Sequence, residues 1–391
     1  MRFFTFKPQH TITLLLLFSN ACYGYYLDHS CEKDKEIVTR CIKGAFDMAD
    51  AALDVIAALE QPPETVPEEM QTPVYRAQVE LINNILRAAT KSGTIDKQAN
   101  RWNELKTRFE LVKEFNNTRE PPPWPGNPTR SDPFHLRGAQ YENTGVRDIL
   151  FFCDHERYKG WEGYDCNGKR DDEKVCDTAM NVEDPYDDLY VRCRDSMLRD
   201  TKTGAITDTR WHPGQPAKIQ LCPGQLAQMR KLGDKQVLED LRGALTLASP
   251  RLMEAITSPS STVRLIDFAC LGDCLILHEM THALKFPFLT KDVDGWGSYK
   301  WNNLVRLSDN LGRDNAETYA YFGLVSQLIL PRNKGKEPMG VEKSGLVYKL
   351  KMLKSGDVSN AAQASGPLRV ANSTEAAKSA NSTEPREPTR P

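Results

Sequence analysis

No CxxC pair occurs among the 391 residues, although the chain has ten cysteines. That absence argues against a zinc ribbon and against thioredoxin-like redox chemistry. Neither sign of charge dominates: 51 Lys+Arg face 53 Asp+Glu, a net charge of −2. There is no basic footprint for nucleic acid, and no helical stretch alternates Lys/Arg with apolar residues as a membrane-surface helix would. No run approaches ~20 continuous apolar residues, so no membrane anchor is expected. Internal repeats are missing as well. The hydrophobic share, 40%, is a little under the globular norm, which leaves part of the chain outside any core. At roughly 100–200 residues per domain, there is room for one large domain or two modest ones.

What is present begins with an address. Arg2 and Lys7 precede the apolar run at 12–18, and small residues follow at Ser19, Ala21 and Gly24. This is the plan of a secretory signal peptide over residues 1–24, so the protein is expected to be secreted and extracellular. Spread-out cysteines in an oxidising compartment read as disulfides. Cleavage after Ala21 keeps all ten, whereas cleavage after Gly24 removes Cys22 and leaves an odd number. Asn116, Asn372 and Asn381 stand in sequons and are candidate glycan sites on an exported chain.

Apolar residues at three- and four-residue steps predict helices over 32–61, 73–90 and 94–115. These form a helical subregion, 25–117, that is also a candidate for a removable pro-region. Six prolines between Pro121 and Pro133 make a stiff linker over 118–134. Residues 135–354 then form the expected catalytic domain, with short strands at 148–153, 188–194 and 263–268. Helices are predicted at 223–245, 249–256 and 316–330, with another starting near Leu271. Residues 355–391 are Ser, Ala, Asn, Thr, Glu and Pro with almost no large apolar residue, the composition of a disordered tail.

The informative stretch is Leu277-His278-Glu279-Met280-Thr281-His282, an HExxH sequence in an apolar, helical context. Residues four apart on a helix lie on one face, so His278 and His282 can bind one Zn²⁺. Glu279 is close enough to activate water without crowding the ligands. A catalytic zinc needs a third protein ligand, and no histidine follows His282, which excludes the long metzincin pattern. Carboxylates remain: Asp292 or Asp294 in the following loop, or Glu317 on the next helix.

HEMTHAL, then Asp-Val-Asp-Gly-Trp-Gly-Ser-Tyr-Lys-Trp-Asn-Asn, then Asn-Ala-Glu-Thr-Tyr-Ala-Tyr-Phe resembles the aspzincin family of zinc metalloendopeptidases. Deuterolysin and the fungal lysine-specific metalloendopeptidases are members. The likeness spans about residues 269–324, and the opening Leu27-Asp28-His29-Ser30-Cys31 is also similar to fungal secreted members. The resemblance implies a helix-rich, zincin-like α+β fold, zinc ligands at His278 and His282, and Glu279 as the base. Its aspartate ligand stands about ten residues after the second histidine, which favours Asp292; Asp294 fits if the loop carries an insertion. Trp296-Gly297 stands where the family has Tyr-Gly, so Tyr299 is the candidate for its oxyanion-binding tyrosine. Glu317 takes the place of the acid that lines a lysine pocket on the carboxyl side of the scissile bond.

The expected activity is hydrolysis of protein or peptide substrates by zinc-activated water. A non-catalytic secreted effector on the same scaffold, and a disulfide-stapled structural protein with an accidental HEMTH, are the alternatives.

Overall fold

The computed structural model describes residues 24–60, 73–86, 100–116, 118–119, 148–198, 203–208, 216–233, 238, 263–285, 287–293, 299–332 and 335–350. The expected signal peptide up to residue 23, most of the linker, the 249–256 helix, the tail, Asp294, Trp296, Asn372 and Asn381 lie outside the described residues.

Helix and sheet are mixed, in keeping with an α+β chain. The main sheet has strand order β2-β1-β3-β8-β7, where β1 is Tyr25–Leu27, β2 Thr118–Arg119, β3 Ile149–Phe152, β7 Ala205–Asp208 and β8 Ala217–Leu221. Strands β2, β1, β3 and β8 run parallel; β7 closes one edge antiparallel to β8. Period-two alternation divides the two faces of this sheet. Tyr25, Leu27, Ile149, Phe151, Ile219 and Leu221 enter the large core, while Tyr26, Leu150 and Phe152 join a smaller cluster on the other side.

The large core is helical. Its centre is α1, Lys35–Glu60, whose Val38, Ile42, Ala45, Ala49, Ala52 and Ile56 recur on one side and are fully buried. Helices α2 (Pro73–Leu86) and α3 (Asn100–Glu114) pack beside it, and α1 in turn contacts α6 (Gly272–His282) and α9 (Ala316–Ile329). Gly323 lets α9 approach closely: a Cβ there would lie 2.6 Å from Leu277 and 3.2 Å from the Cβ of Met48. Residues of the 25–117 segment and of the HExxH helix therefore share one core. Helices α7 (Trp301–Leu304) and α8 (Asp309–Asp314) link α6 to α9, and the hairpin β9 (Met339–Val341) and β10 (Val347–Lys349) covers α9.

Between β3 and β8 the chain forms a three-stranded antiparallel sheet of β4 (Glu162–Tyr164), β5 (Arg170–Asp177) and β6 (Val182–Pro185). Buried charges join it to the main sheet. Lys218 on β8 meets Asp184 at 2.6 Å, Asp177 at 3.2 Å and Asp208 at 3.5 Å; Arg157 meets Asp177 at 3.1 Å and stands over the Phe152 ring. Burial opposes the charge on Lys218, but the carboxylates around it hold its pKa above the ordinary lysine range.

Four disulfides are present among the described residues: Cys31–Cys153, Cys166–Cys176, Cys193–Cys222 and Cys270–Cys274. The first closes 122 residues and ties the start of the helical segment to the end of β3. In the chain-entropy account a loop of that size contributes roughly 4–5 kcal/mol. Cys41 is a buried free thiol, pushed up to about 12 by burial and then by the Asp273 carboxylate, so it is inert near neutral pH. No helix among the described residues is long and apolar enough to cross a membrane.

Two elements differ from the sequence reading. Residues 188–194 form helix α4 (Asp188–Arg194) rather than a strand, because Asp187 caps it by accepting the Tyr190 amide at 2.9 Å. Residues 265–268 form a 3-10 turn, Leu265–Phe268, rather than a strand. There Asp267 accepts from the amides of Arg264 (2.6 Å) and Trp301 (2.8 Å) and from the Tyr321 hydroxyl (2.7 Å). Helix α5 (Pro223–Leu232) starts as predicted and stops at Gly233, whose φ of 57° favours glycine.

The junction between the sheets carries a pH liability. Burial, then the charges of Arg157 and Arg194, lower His155 to about 3, and neither ring nitrogen has a hydrogen-bond partner among the described residues. An unfolded histidine takes up its proton near 6.5. Between those values the unfolded chain binds more protons, so stability falls as pH drops from about 6.5 toward 3. His155→Phe, which keeps the edge contact with Tyr190, should flatten the fall by on the order of a few kcal/mol at the acid end and change little at pH 8. Urea unfolding at pH 4 and pH 8 measures this; equal pH dependence in both proteins would refute it.

Candidate metal centre

Helix α6 opens within the loop closed by the Cys270–Cys274 bridge and packs Ile276, Leu277 and Met280 into the core. The opposite stripe, His278, Glu279 and His282, lines the floor of a cleft of about 1100 Å³. The i, i+4 spacing puts the two imidazoles one turn apart, with Nε2 to Nε2 at 3.1 Å. From the following loop Asp292 brings Oδ1 to 3.1 Å from His278 Nε2 and 3.2 Å from His282 Nε2.

The hydrogen bonds behind this triangle fix what its corners are. His278 Nδ1 lies 3.0 Å from Glu317 Oε2, and His282 Nδ1 lies 3.1 Å from the Thr290 carbonyl. Both partners are acceptors, so each Nδ1 carries the hydrogen and each Nε2 presents its lone pair to the centre. Two imidazole lone pairs and a carboxylate oxygen then face one another with no donor between them. Tetrahedral zinc with nitrogen and oxygen ligands at ~2.0–2.2 Å would set its ligands about 3.3 Å apart or slightly more. The donor set and its spacing fit a metal ion, and His278, His282 and Asp292 could hold one.

Without a metal, a proton must fill that role. Burial works against charging His278, yet its bonds to Asp292 and Glu317 raise its pKa well above the ordinary value. Burial alone would raise Asp292; the two histidines instead hold it well below the usual carboxylate range.

Glu279 is buried and points along the same face. Its Oε2 accepts from Thr207 Oγ1 at 2.5 Å, and the same hydroxyl lies 3.2 Å from the Glu279 carbonyl. Thr207 can reach because β7 is the edge strand over α6. Its neighbour Asp208 faces the other way, toward Lys218, across the register Asp208↔Lys218. Tyr299 stacks on the His278 ring, with centroids 5.7 Å apart, and hydrogen-bonds Asp292. Burial, then the Asp292 charge, raises its phenol, which stays protonated and able to donate.

The tripod is thus formed by His278, His282 and Asp292. Glu317 stands behind His278 with both oxygens engaged, Oε1 accepting from the Lys300 amide at 3.1 Å. Glu279 and Tyr299 line the same cleft. Asp294, the other loop candidate, lies outside the described residues. Sequence reading missed Thr207, which no motif marks. It also missed Thr290, whose hydroxyl meets that of Thr281 at 2.9 Å and whose carbonyl orients His282. Position two before Asp292 was the only available signal for it.

No family model, curated protein or solved structure matches this chain. The geometry alone therefore carries the site.

With zinc as the probe, Asp292→Ala should lose affinity by far more than Glu317→Gln, which removes only an orienting contact worth about 10–100-fold. Competition with a chromophoric chelator ranks the two. The reverse ranking would move the third ligand off Asp292.

Proposed function

We propose that this chain is a secreted zinc metalloendopeptidase on a zincin-like scaffold of the aspzincin kind. The observation that carries the reading is the convergence of three metal-ligand atoms beside Glu279 at the floor of an open cleft. Four disulfides support export into an oxidising compartment. A zinc ion held by His278, His282 and Asp292 would supply the Lewis acidity that peptide hydrolysis needs.

The remaining work falls to side chains. Glu279 takes a proton from the attacking water and hands it to the leaving amine. Thr207 holds one oxygen of that carboxylate, which limits its rotamers and leaves the other oxygen for the proton. The protonated phenol of Tyr299 is a donor for the negative oxygen that develops at the scissile carbonyl. Strand β7 borders the cleft through Ala205, Ile206 and Thr207 and has no strand on its outer side among the described residues. An extended peptide can add there as a further strand, which presents its carbonyls to the site in register.

The cleft's side chains also bear on specificity. A lysine preference would require Glu317 to give up one of its two hydrogen bonds to an incoming ammonium. The other cleft residues include Leu189, Ile206, Leu271, Leu275 and Leu289, with Arg192, Lys291 and Lys300 as cations and Asp188, ion-paired to Arg192, as a further carboxylate. This lining supports apolar side chains better than basic ones.

Zinc content and hydrolysis of an unstructured protein such as casein test the proposal together. The purified chain should contain zinc, and its peptidase activity should vanish with a chelator and return with zinc. Glu279→Gln should keep the metal and lose about 10²–10⁴-fold in rate. Chelator-resistant hydrolysis, or a Glu279→Gln variant near the wild-type rate, would sink the mechanism. Zinc without any hydrolysis would favour the binding-protein alternative.

A further inference from the structure

The loop that supplies Asp292 is held from outside the catalytic segment. Residues 287–293 run beside the start of α9 through one parallel bridge, Lys291↔Asn315. In it Lys291 N donates to Asp314 O at 2.7 Å and Ala316 N donates to Lys291 O at 3.0 Å. One side chain grips both strands of this bridge. Arg108, on α3, is 3% exposed; its Nε donates to Phe288 O at 2.9 Å and one terminal nitrogen to Arg313 O at 2.5 Å. The same nitrogen meets the Tyr319 hydroxyl, and the other lies 3.5 Å from Asp314 Oδ1. The Tyr319 hydroxyl itself donates to Arg313 O at 2.7 Å.

These contacts are two residues from the Thr290 carbonyl that orients His282 and four from Asp292. On the second strand they lie just before Ala316, where the helix bearing Glu317 begins. The bridge thus carries one ligand and the outer partner of each of the other two. Only a planar guanidinium offers donors in a fork wide enough for carbonyls on two strands; an ammonium on a flexible stem reaches one or two.

We propose that Arg108 is a positioning residue of the metal centre, and that the segment bearing it stays on the mature protein rather than leaving as a pro-region. This rests on reading His278, His282 and Asp292 as a metal site. The shared core of α1, α6 and α9 and the Cys31–Cys153 bridge hold that segment in place, so Arg108 acts from a fixed scaffold.

The test uses the full chain with Arg108→Lys and Arg108→Met, each checked for cooperative thermal unfolding of the metal-free form. Zinc affinity is read by competition with a chromophoric chelator, and ligand geometry by the visible spectrum of the cobalt(II)-substituted protein. Arg108→Met should bind zinc about 10–100-fold more weakly than wild type, the scale of an outer-contact loss, with Arg108→Lys between them. The cobalt spectrum should change in step. In an Asp292→Ala background the same substitution should cost less than in the wild type, because only the outer partners of His278 and His282 remain for it to disturb. A folded Arg108→Met or Arg108→Lys protein with wild-type affinity and spectrum overturns the proposal. So does an equal loss in the Asp292→Ala background, which would assign Arg108 to general stability. Wild-type protein that binds no zinc overturns the metal reading and this inference with it. Intact-mass analysis gives the second arm: zinc-loaded secreted protein should retain residues 100–116, and a loaded species starting beyond them refutes the claim.

Discussion

Two imidazole nitrogens and a carboxylate oxygen, each presenting lone pairs at 3.1–3.2 Å, repel one another unless a cation stands among them. The arrangement is stable only if the surrounding protein holds the three groups from behind. Much of the architecture near the cleft does so. Glu317 holds His278, Thr290 holds His282, and the bridge at Lys291 and Asn315 holds the loop of Asp292. Burial strengthens the contacts behind the two histidines, because water is not there to replace a lost partner.

The larger fold supplies the rigidity that these contacts need. Helix α6 is fixed by α1 and α9 through closely approaching backbone, as the space at Gly323 shows. On the cleft side it is fixed by β7, and β7 is anchored in turn by the Lys218 carboxylate cluster on the far face of the sheet. A buried cluster of this kind contributes little net stability, since desolvation offsets much of its Coulomb attraction. Its effect is directional. It sets which face of β7 carries Asp208, and therefore which face offers Thr207 to Glu279.

What could be read from the sequence follows the range of the interactions. Helices α1, α2, α3 and α9 were legible because their apolar residues repeat at helical spacing, and His278 and His282 because four residues make one turn. Asp292 was legible only as one of three carboxylates. The strand expected at 188–194 failed because Leu189, Tyr190 and Val191 have β propensity while the capping carboxylate of Asp187 decides the backbone. The parallel pairing of β1, β3 and β8 left no local trace, since partners lie far apart in the chain. Thr207 and Arg108 were invisible for the same reason: their partners lie 72 to 211 residues away.

Lys300 shows how far the site shapes its own backbone. Its φ of 73° and ψ of 152° fall in a region that favours glycine, and a lysine there stores roughly 1–3 kcal/mol of strain. The amide of Lys300 is aimed at Glu317 Oε1, while its carbonyl accepts from Asn303 and Leu304 and starts α7. An ordinary extended or helical φ would turn the amide away from Glu317 and leave that oxygen without its donor inside a buried pocket. Glu317 would then be free to rotate, and His278 would lose the acceptor that keeps its hydrogen on Nδ1. The strain at Lys300 is therefore offset within the network that sets the tautomer of His278, and Lys300 lines the cleft together with Tyr299.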